Sequence, residues 1–171
     1  MRLDSSSYFD DSQPRARSLH LRLRAEAGSS PLEGEATLVF PGRGVEGTLD
    51  LDTQCLEVHS AYVTATAAPL PFELGEEEPG LGRRLRLQLP PDTMGITLAF
   101  ETGPGALDPR RARELMPCQD CGEVPVAFDA ELLLPEGQGW RSCRFSLPRT
   151  SPTDPGLLRG MAEALLGKSG K

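Results

Sequence analysis

The stretch from residue 32 to residue 62 constrains the fold most, because its apolar residues alternate with polar ones. The alternation twice runs into a Gly-rich turn and then starts again. Since successive side chains of a strand point to opposite faces, this period predicts consecutive β-strands with one apolar side. Glu57 and His59 fall on the polar side. The apolar phase holds Leu38, Phe40, Leu49, Leu51, Leu56, Val58 and Tyr62.

The same period recurs along the chain and predicts more strands at residues 19–25, 84–89, 96–100 and 124–134. Shorter strands are predicted around Phe72 and at residues 144–147. The runs 84–89 and 96–100 are expected to form a hairpin-like pair. The fold class that follows is all-β, a sandwich or saddle of twisted, mainly antiparallel sheets, with a short C-terminal helix. A solvated strand face is expected to carry Arg22, Arg24, Arg84 and Arg86.

The domain organisation is read from composition, since 171 residues suit one domain. Residues 1–16 are polar and lack periodicity, which predicts a flexible N-terminal arm. Residues 17–147 form the β domain. Residues 148–171 are expected to be a Pro/Ser/Thr linker and a short helix, with Asp154 as its N-cap and Pro155 in the first position.

Charge and hydropathy narrow the classes of partner. A net charge of −7 argues against nucleic acid, which usually requires clustered Lys and Arg. No apolar run reaches membrane-spanning length, and the first residues lack the pattern of a secretory signal. We therefore expect no membrane partner and a cytoplasmic location. In that compartment reduced thiols are expected at Cys55, Cys118, Cys121 and Cys143.

Two blocks of sequence resemble one known family. Residues 32–40, LEGEATLVF, and residues 49–58, LDLDTQCLEV, are similar to a family pattern L-x-G-x-x-x-L-x-F followed by L-x-L-D-T-x-x-L-x-I. Residues 115–137 are similar to its L-x-P-C-Q-D-T-P-x-V-K-x-T-Y-x-A-E-x-x-V-P segment. The family is the leukotriene A4 hydrolase and aminopeptidase B group of gluzincin zinc aminopeptidases. The resemblance is to its N-terminal β domain and covers residues 17–137.

The chain departs from that pattern in two places. Residues 102–117 lack the family's longer insertion, with its Trp-rich strand and the glutamine pair that reaches the substrate pocket, as if an internal segment were missing. Beyond Gly137 the resemblance ends. The resemblance therefore implies a truncated form of the domain.

The family's catalysis requires H-E-x-x-H and a distant Glu, because these residues hold zinc and activate water. The chain has no such motif and lacks the family's G-x-M-E-N peptide-binding stretch. Its two histidines, His20 and His59, lie in the polar phase of different strands and are expected to be exposed strand residues. The resemblance implies no catalytic, cofactor-binding or metal-binding residue in this chain, since the family binds zinc in a domain absent here.

Three other residue patterns give only weak evidence for a functional site. Cys118 and Cys121 form a C-x-x-C, but no second pair and no βαβ pattern accompanies it, so the family block explains it better than a metal or redox site. The segment 103–105, Gly-Pro-Gly, is a turn and not a phosphate loop, because proline lacks a needed N–H. The residues of a Ser/His/Asp triad are brought together by the fold, so their spacing in the sequence does not exclude such a triad.

The expected function is that of a non-catalytic N-terminal β domain, as a fragment or truncated isoform. In a parent zinc aminopeptidase it would shape the peptide-binding cleft, and its partner would be a gluzincin catalytic domain. The alternative is an independent β-sandwich module that binds another protein through an exposed sheet. Phe128 is expected in the core of a central strand. The resemblance places this strand against the seam with the catalytic domain, which implies that one of its faces has lost its cover and exposes an apolar patch.

Overall fold

The computed structural model describes residues 7–10, 12–25, 31–103, 117, 126–136, 138–150 and 163. Most of them lie in nine β-strands within these ranges. The strands are β1 Ser18–Ala25, β2 Leu32–Val39, β3 Val45–Thr53, β4 Leu56–Val63, β5 Phe72–Glu78, β6 Gly82–Thr93, β7 Gly95–Thr102, β8 Val126–Glu136 and β9 Gly139–Thr150.

The strands form two sheets. One has six strands in the order β4-β7-β2-β1-β8-β9, and the other has three in the order β3-β6-β5. Every pairing is antiparallel except that of β1 with β8, which is parallel. The predicted all-β fold of mainly antiparallel sheets is confirmed. The predicted C-terminal helix lies outside the described residues, apart from Glu163, which is helical.

The core lies between the apolar faces of the two sheets and contains residues from both. With few aromatic residues in the chain, it is built mainly from leucine. Burying one such side chain contributes about 1.5–3 kcal/mol. The largest fully buried side chains are Leu23, Leu32, Phe40, Leu49, Leu51, Leu85, Leu87, Ile96, Leu98 and Phe100.

The predicted pairing of the strands at 84–89 and 96–100 is wrong. The first belongs to β6 in the three-stranded sheet and the second to β7 in the six-stranded sheet. Within β6, Pro90 and Pro91 lack N–H donors and Asp92 has a φ of 61°, and the pairing with β3 is irregular here. The strand ends at Thr93, and β7 begins at Gly95 in the other sheet. Alternation shows which side of a strand is apolar but does not identify its neighbour.

The expected apolar phase of β4 is wrong at Tyr62. A β-bulge between Val58 and Ser60 shifts the register by one residue. Ala61 is therefore buried, while the half-buried Tyr62 points its hydroxyl toward Glu35 on the outer face of the sheet, at 3.5 Å.

The described part of the N-terminal arm, residues 7–10 and 12–16, contacts the β domain. Ser7, Tyr8 and Phe9 are buried. The Tyr8 amide donates to Asp52 Oδ1 at 2.7 Å, and its hydroxyl donates to the Gly82 carbonyl at 3.1 Å. The last five residues of β3 are all buried, because the arm covers the polar face that carries Asp50 and Asp52.

The expected apolar patch is not found on the part of the chain that the structure describes. Among these residues, the large hydrophobic side chains that are exposed are Met94 and Trp140. Met94 lies between β6 and β7, and Trp140 lies on β9. Ala130, Leu132 and Leu134 of β8 are buried. The side chain of Phe128 lies outside the described residues, so its place in the core stays a prediction. Within the described ranges, no helix has the length and hydropathy needed to cross a membrane.

Candidate functional site

The outer face of the six-stranded sheet gathers the charged side chains into rows that run across the strands. One row begins with Glu57 opposite Glu101, continues with Glu33, and ends at Arg24 and Leu133. Like charges directly opposite each other destabilise a sheet. Arg24 offsets part of this repulsion, because its guanidinium forms an ion pair with Glu33.

A second group of charges is centred on Glu131 of β8. Its carboxylate lies 3.2 Å from Arg22 Nε and 3.3 Å from Arg144 Nε, and the Ser142 hydroxyl donates to it at 2.7 Å. Beside it, His20 Nδ1 lies 3.1 Å from Asp129 Oδ2. Solvent screens exposed ion pairs of this kind, so the group orders the surface more than it stabilises the fold.

An open groove of about 520 Å³ runs along this face. Carboxylates and guanidiniums line it together, so it has no dominant charge that would select one small ligand. Its polar lining includes Arg22, Arg24, Glu33, Glu35, His59 and Glu101.

The two histidines do not form a site together. His59 lies on β4 and His20 on β1, with β7 and β2 between them in the sheet. Both are exposed, as the sequence predicted. Within the described ranges, no three side chains of His, Cys, Asp or Glu come together in a way that could hold a metal ion.

The pKa of Glu131 is lowered, first by the hydrogen bond from Ser142 and then by Arg144 and Arg22. A lowered carboxyl pKa gives stability that is present above the unfolded-state pKa and is lost as pH falls through the folded-state pKa. We expect Ser142→Ala to move the Glu131 pKa back toward its ordinary value. Side-chain carboxyl shifts followed by NMR during an acid titration would measure this. The Asp129 carboxyl in the same spectra is the control, since Ser142 does not contact it.

The cysteines divide into two groups. Cys55 is exposed in the turn between β3 and β4, and Cys143 on β9 is partly buried. Cys118 and Cys121 lie outside the described residues, so the interpretation of their C-x-x-C stays a prediction.

Sequence reasoning missed a buried ion pair on the outer side of the small sheet. Asp50 is only 2% exposed and accepts from Arg86 Nε at 2.8 Å and Nη2 at 2.7 Å. Gln13 of the arm donates to Asp50 Oδ2 at 3.2 Å and accepts from its amide at 2.8 Å. The hydrogen bond to Asp50 raises the pKa of Arg86. Arg86, predicted as a solvated strand residue, therefore has a structural role.

The first sequence block has a structural explanation at almost every fixed position. Gly34 lies under the ring of Phe100, its cross-strand partner, where a Cβ would be 2.3 Å from the ring. The Thr53 hydroxyl donates to the Arg83 carbonyl at 2.7 Å, which ties the end of β3 to β6. The apolar positions of the block are buried in the core. The block therefore encodes packing and a turn, not a reactive group.

No protein-family model and no curated protein matches the chain. Solved structures do match it. Native leukotriene A4 hydrolase from yeast superposes with a TM-score of 0.67 at 20% identity, over 84% of this chain and 28% of the yeast chain. The same enzyme in complex with bestatin gives 0.66 at 19% identity, over 85% and 29%. An M1 zinc metallopeptidase from Deinococcus radiodurans gives 0.60 at 16% identity, over 81% and 40%.

The chain has a fold found in leukotriene A4 hydrolase. The similarity that its two sequence blocks indicated is thereby confirmed at the level of the fold. The chain spans less than a third of the yeast leukotriene A4 hydrolase and two fifths of the Deinococcus metallopeptidase that it matches.

Proposed function

We propose that this chain is a non-catalytic β domain of the leukotriene A4 hydrolase type. In an enzyme that contains it, it would shape the cleft in which a separate zinc-binding domain holds its peptide. The observation that carries this proposal is the unequal coverage, since the fold accounts for 84% of this chain but only 28% of the yeast enzyme. The same coverage favours a domain of a larger enzyme over an independent binding module.

The chemistry of the described surface supports this role. Zinc-dependent peptide hydrolysis requires three protein ligands, an open coordination position and a general base. Here the acidic side chains Glu33, Asp50, Asp129 and Glu131 are engaged in ion pairs. The two histidines lie on separate strands. Such a surface can hold a shape and contact a neighbouring domain, but it lacks the arrangement that would activate water.

The proposed partner is a zinc-binding catalytic domain, and the proposed location is the cytoplasm. Support for the location comes from the thiol of Cys143, because reduced thiols are typical of that compartment. Support for the partner comes from the M1 zinc metallopeptidase in which the same fold occupies part of a longer chain.

The purified chain is expected to show no aminopeptidase turnover and no stoichiometric zinc. Aminoacyl arylamide substrates measure the first, and elemental analysis after dialysis measures the second. A matched sample treated with a strong chelator sets the background for both. Chelator-sensitive turnover above that background would contradict the proposal.

A chimera tests the positive side of the proposal. This chain is grafted into yeast leukotriene A4 hydrolase in place of the segment that it matches, and peptide hydrolysis is compared with that of an enzyme lacking the segment. We expect the graft to restore activity that the deletion loses. A graft that folds and binds zinc but stays as inactive as the deletion would contradict the role in shaping the cleft.

A further inference from the structure

The two edges of the six-stranded sheet differ in how they are covered. At the β4 edge, the chain's own residues 67–70 close the sheet: the Leu70 amide donates to the Ala61 carbonyl at 2.8 Å, and the Val63 amide to the Ala68 carbonyl at 2.9 Å. At the other edge, β9 runs for 12 residues. Of the strands that the structure describes, β8 alone pairs with it. An edge of this length presents unpaired backbone groups that can accept another strand.

The backbone groups that face this edge follow from the register. The Ala127 amide donates to the Arg17 carbonyl, so this residue of β8 directs its backbone groups toward β1. Because these directions alternate along a strand, Leu132 directs its groups toward β9, where its partner is Cys143. The neighbours of Cys143 therefore point outward. The residues with outward N–H and C=O groups include Trp140, Ser142, Arg144 and Ser146.

The charge of β9 indicates which kind of strand would fit. The strand contains Arg141, Arg144 and Arg149 and no acidic residue, in a chain whose net charge is −7. Arg141 and Arg144 are exposed. Pairing β9 with a second β9 would bring cations together, whereas an acidic strand would be attracted.

An aromatic side chain lies beside the same edge. Trp140 is 51% exposed, and the Arg24 guanidinium is 5.6 Å from the centroid of its ring. Cation–π contact of this kind holds the ring on the outer face. Trp is among the residues enriched where one chain recognises another.

We propose that β9 binds an extended acidic peptide segment as a seventh strand of the sheet. The segment bonds to the outward backbone groups of Trp140, Ser142 and Arg144 and places carboxylates near Arg141 and Arg144. Backbone bonds supply the affinity in such strand addition, and the arginines supply the preference for acidic side chains. This site is separate from the proposed role in shaping a catalytic cleft, and either can fail without the other.

The experiment uses the full chain and the emission of Trp140, which is the single tryptophan in the sequence. The probe is the peptide Val-Glu-Glu-Val-Glu-Glu-Val, acetylated and amidated, and its matched control has Lys in place of every Glu. We expect the acidic peptide to change the emission in a saturable way and to bind at least about tenfold more tightly than the Lys peptide, with an affinity that falls as salt is added. No saturable change with the acidic peptide, or equal binding of both peptides, would overturn the proposal.

Two variants locate the binding. Ser142→Pro removes one outward N–H and is compatible with an edge strand, whereas Ser142→Ala keeps that N–H and loses only the hydrogen bond to Glu131. We expect at least about tenfold weaker binding for the proline variant and little change for the alanine variant. Arg141→Glu should reduce the preference for the acidic peptide, since only Arg144 and Arg149 remain as cations in β9, and this variant tests the proposal if Ser142→Pro fails to fold. Unchanged binding in the folded proline variant, or an unchanged preference in Arg141→Glu, would overturn the proposal. So would a concentration-dependent dimer in sedimentation that Ser142→Pro abolishes, because a second copy would then occupy the edge.

Discussion

Gly34→Ala is expected to lower the free energy of unfolding by about 3 kcal/mol, at the upper end for one added carbon in a packed core. The reason is steric, because the new Cβ would lie 2.3 Å from the ring of Phe100, which is itself only 2% exposed and has little room to move. Since small domains are stable by about 5–15 kcal/mol, a change of this size is a large part of the total. Denaturant unfolding followed by far-UV circular dichroism measures it.

A matched substitution separates this clash from a general effect of adding a methyl group. Gly75 lies on β5, where an added Cβ would meet Arg84 atoms at 3.5 Å, an ordinary contact distance. Gly75→Ala should therefore change stability by no more than about 0.5 kcal/mol. Phe100→Leu, combined with Gly34→Ala, should recover part of the loss. Equal unfolding midpoints for Gly34→Ala and Gly75→Ala would contradict the packing described for the first sequence block.

Asp50→Ala is expected to destabilise the domain by about 3 kcal/mol, the lower end for removing one partner of a buried ion pair. The lower end applies because Asp50 is almost fully buried while the Arg86 side chain is 37% exposed and stays partly solvated. The variant also removes the carboxylate to which Gln13 donates, so the arm loses an anchor. Thermal or denaturant unfolding of the full chain measures the change.

Asp129→Ala is the control, because it removes the same side chain from an exposed pair with His20. That variant should cost at most about 1 kcal/mol. If the Asp50 and Asp129 variants unfolded at the same midpoint, the arm and the ion pair beneath it would not contribute to stability as described. Limited proteolysis near residue 16 would add a second readout, since a released arm should be cleaved faster in the Asp50 variant.

The sequence predicted most of the strands and the apolar side of each, because period-two alternation depends only on local geometry. It did not predict that β3 and β6 lie in a different sheet from β4 and β7, since partner choice depends on the whole topology. The phase error at Tyr62 has a local cause, a bulge that inserts one residue into β4 and leaves no distinct trace in composition.

The polar residues were harder to place. Asp50 and Asp52 alternate with Leu49 and Leu51 as an exposed face would, and the arm that buries them comes from a segment without periodicity. The contact of Glu131 with Arg22 joins strands that are distant in sequence, so it follows only from the register of β1 with β8. The resemblance of the first block, residues 32–58, fits the observed fold, but its role in packing became clear only with the neighbours of Gly34 and Thr53.

The parallel pairing of β1 with β8 has a consequence for synthesis on the ribosome. Ser18 of β1 pairs with Ala127, so the centre of the large sheet cannot be completed until the last strands have emerged. The smaller sheet uses residues between Val45 and Thr93 and needs no later strand. Non-local pairing of this kind slows folding, because the entropy of closing the long loop is lost before the contacts form. A nascent chain therefore carries β1 with one unpaired side until β8 has been synthesised.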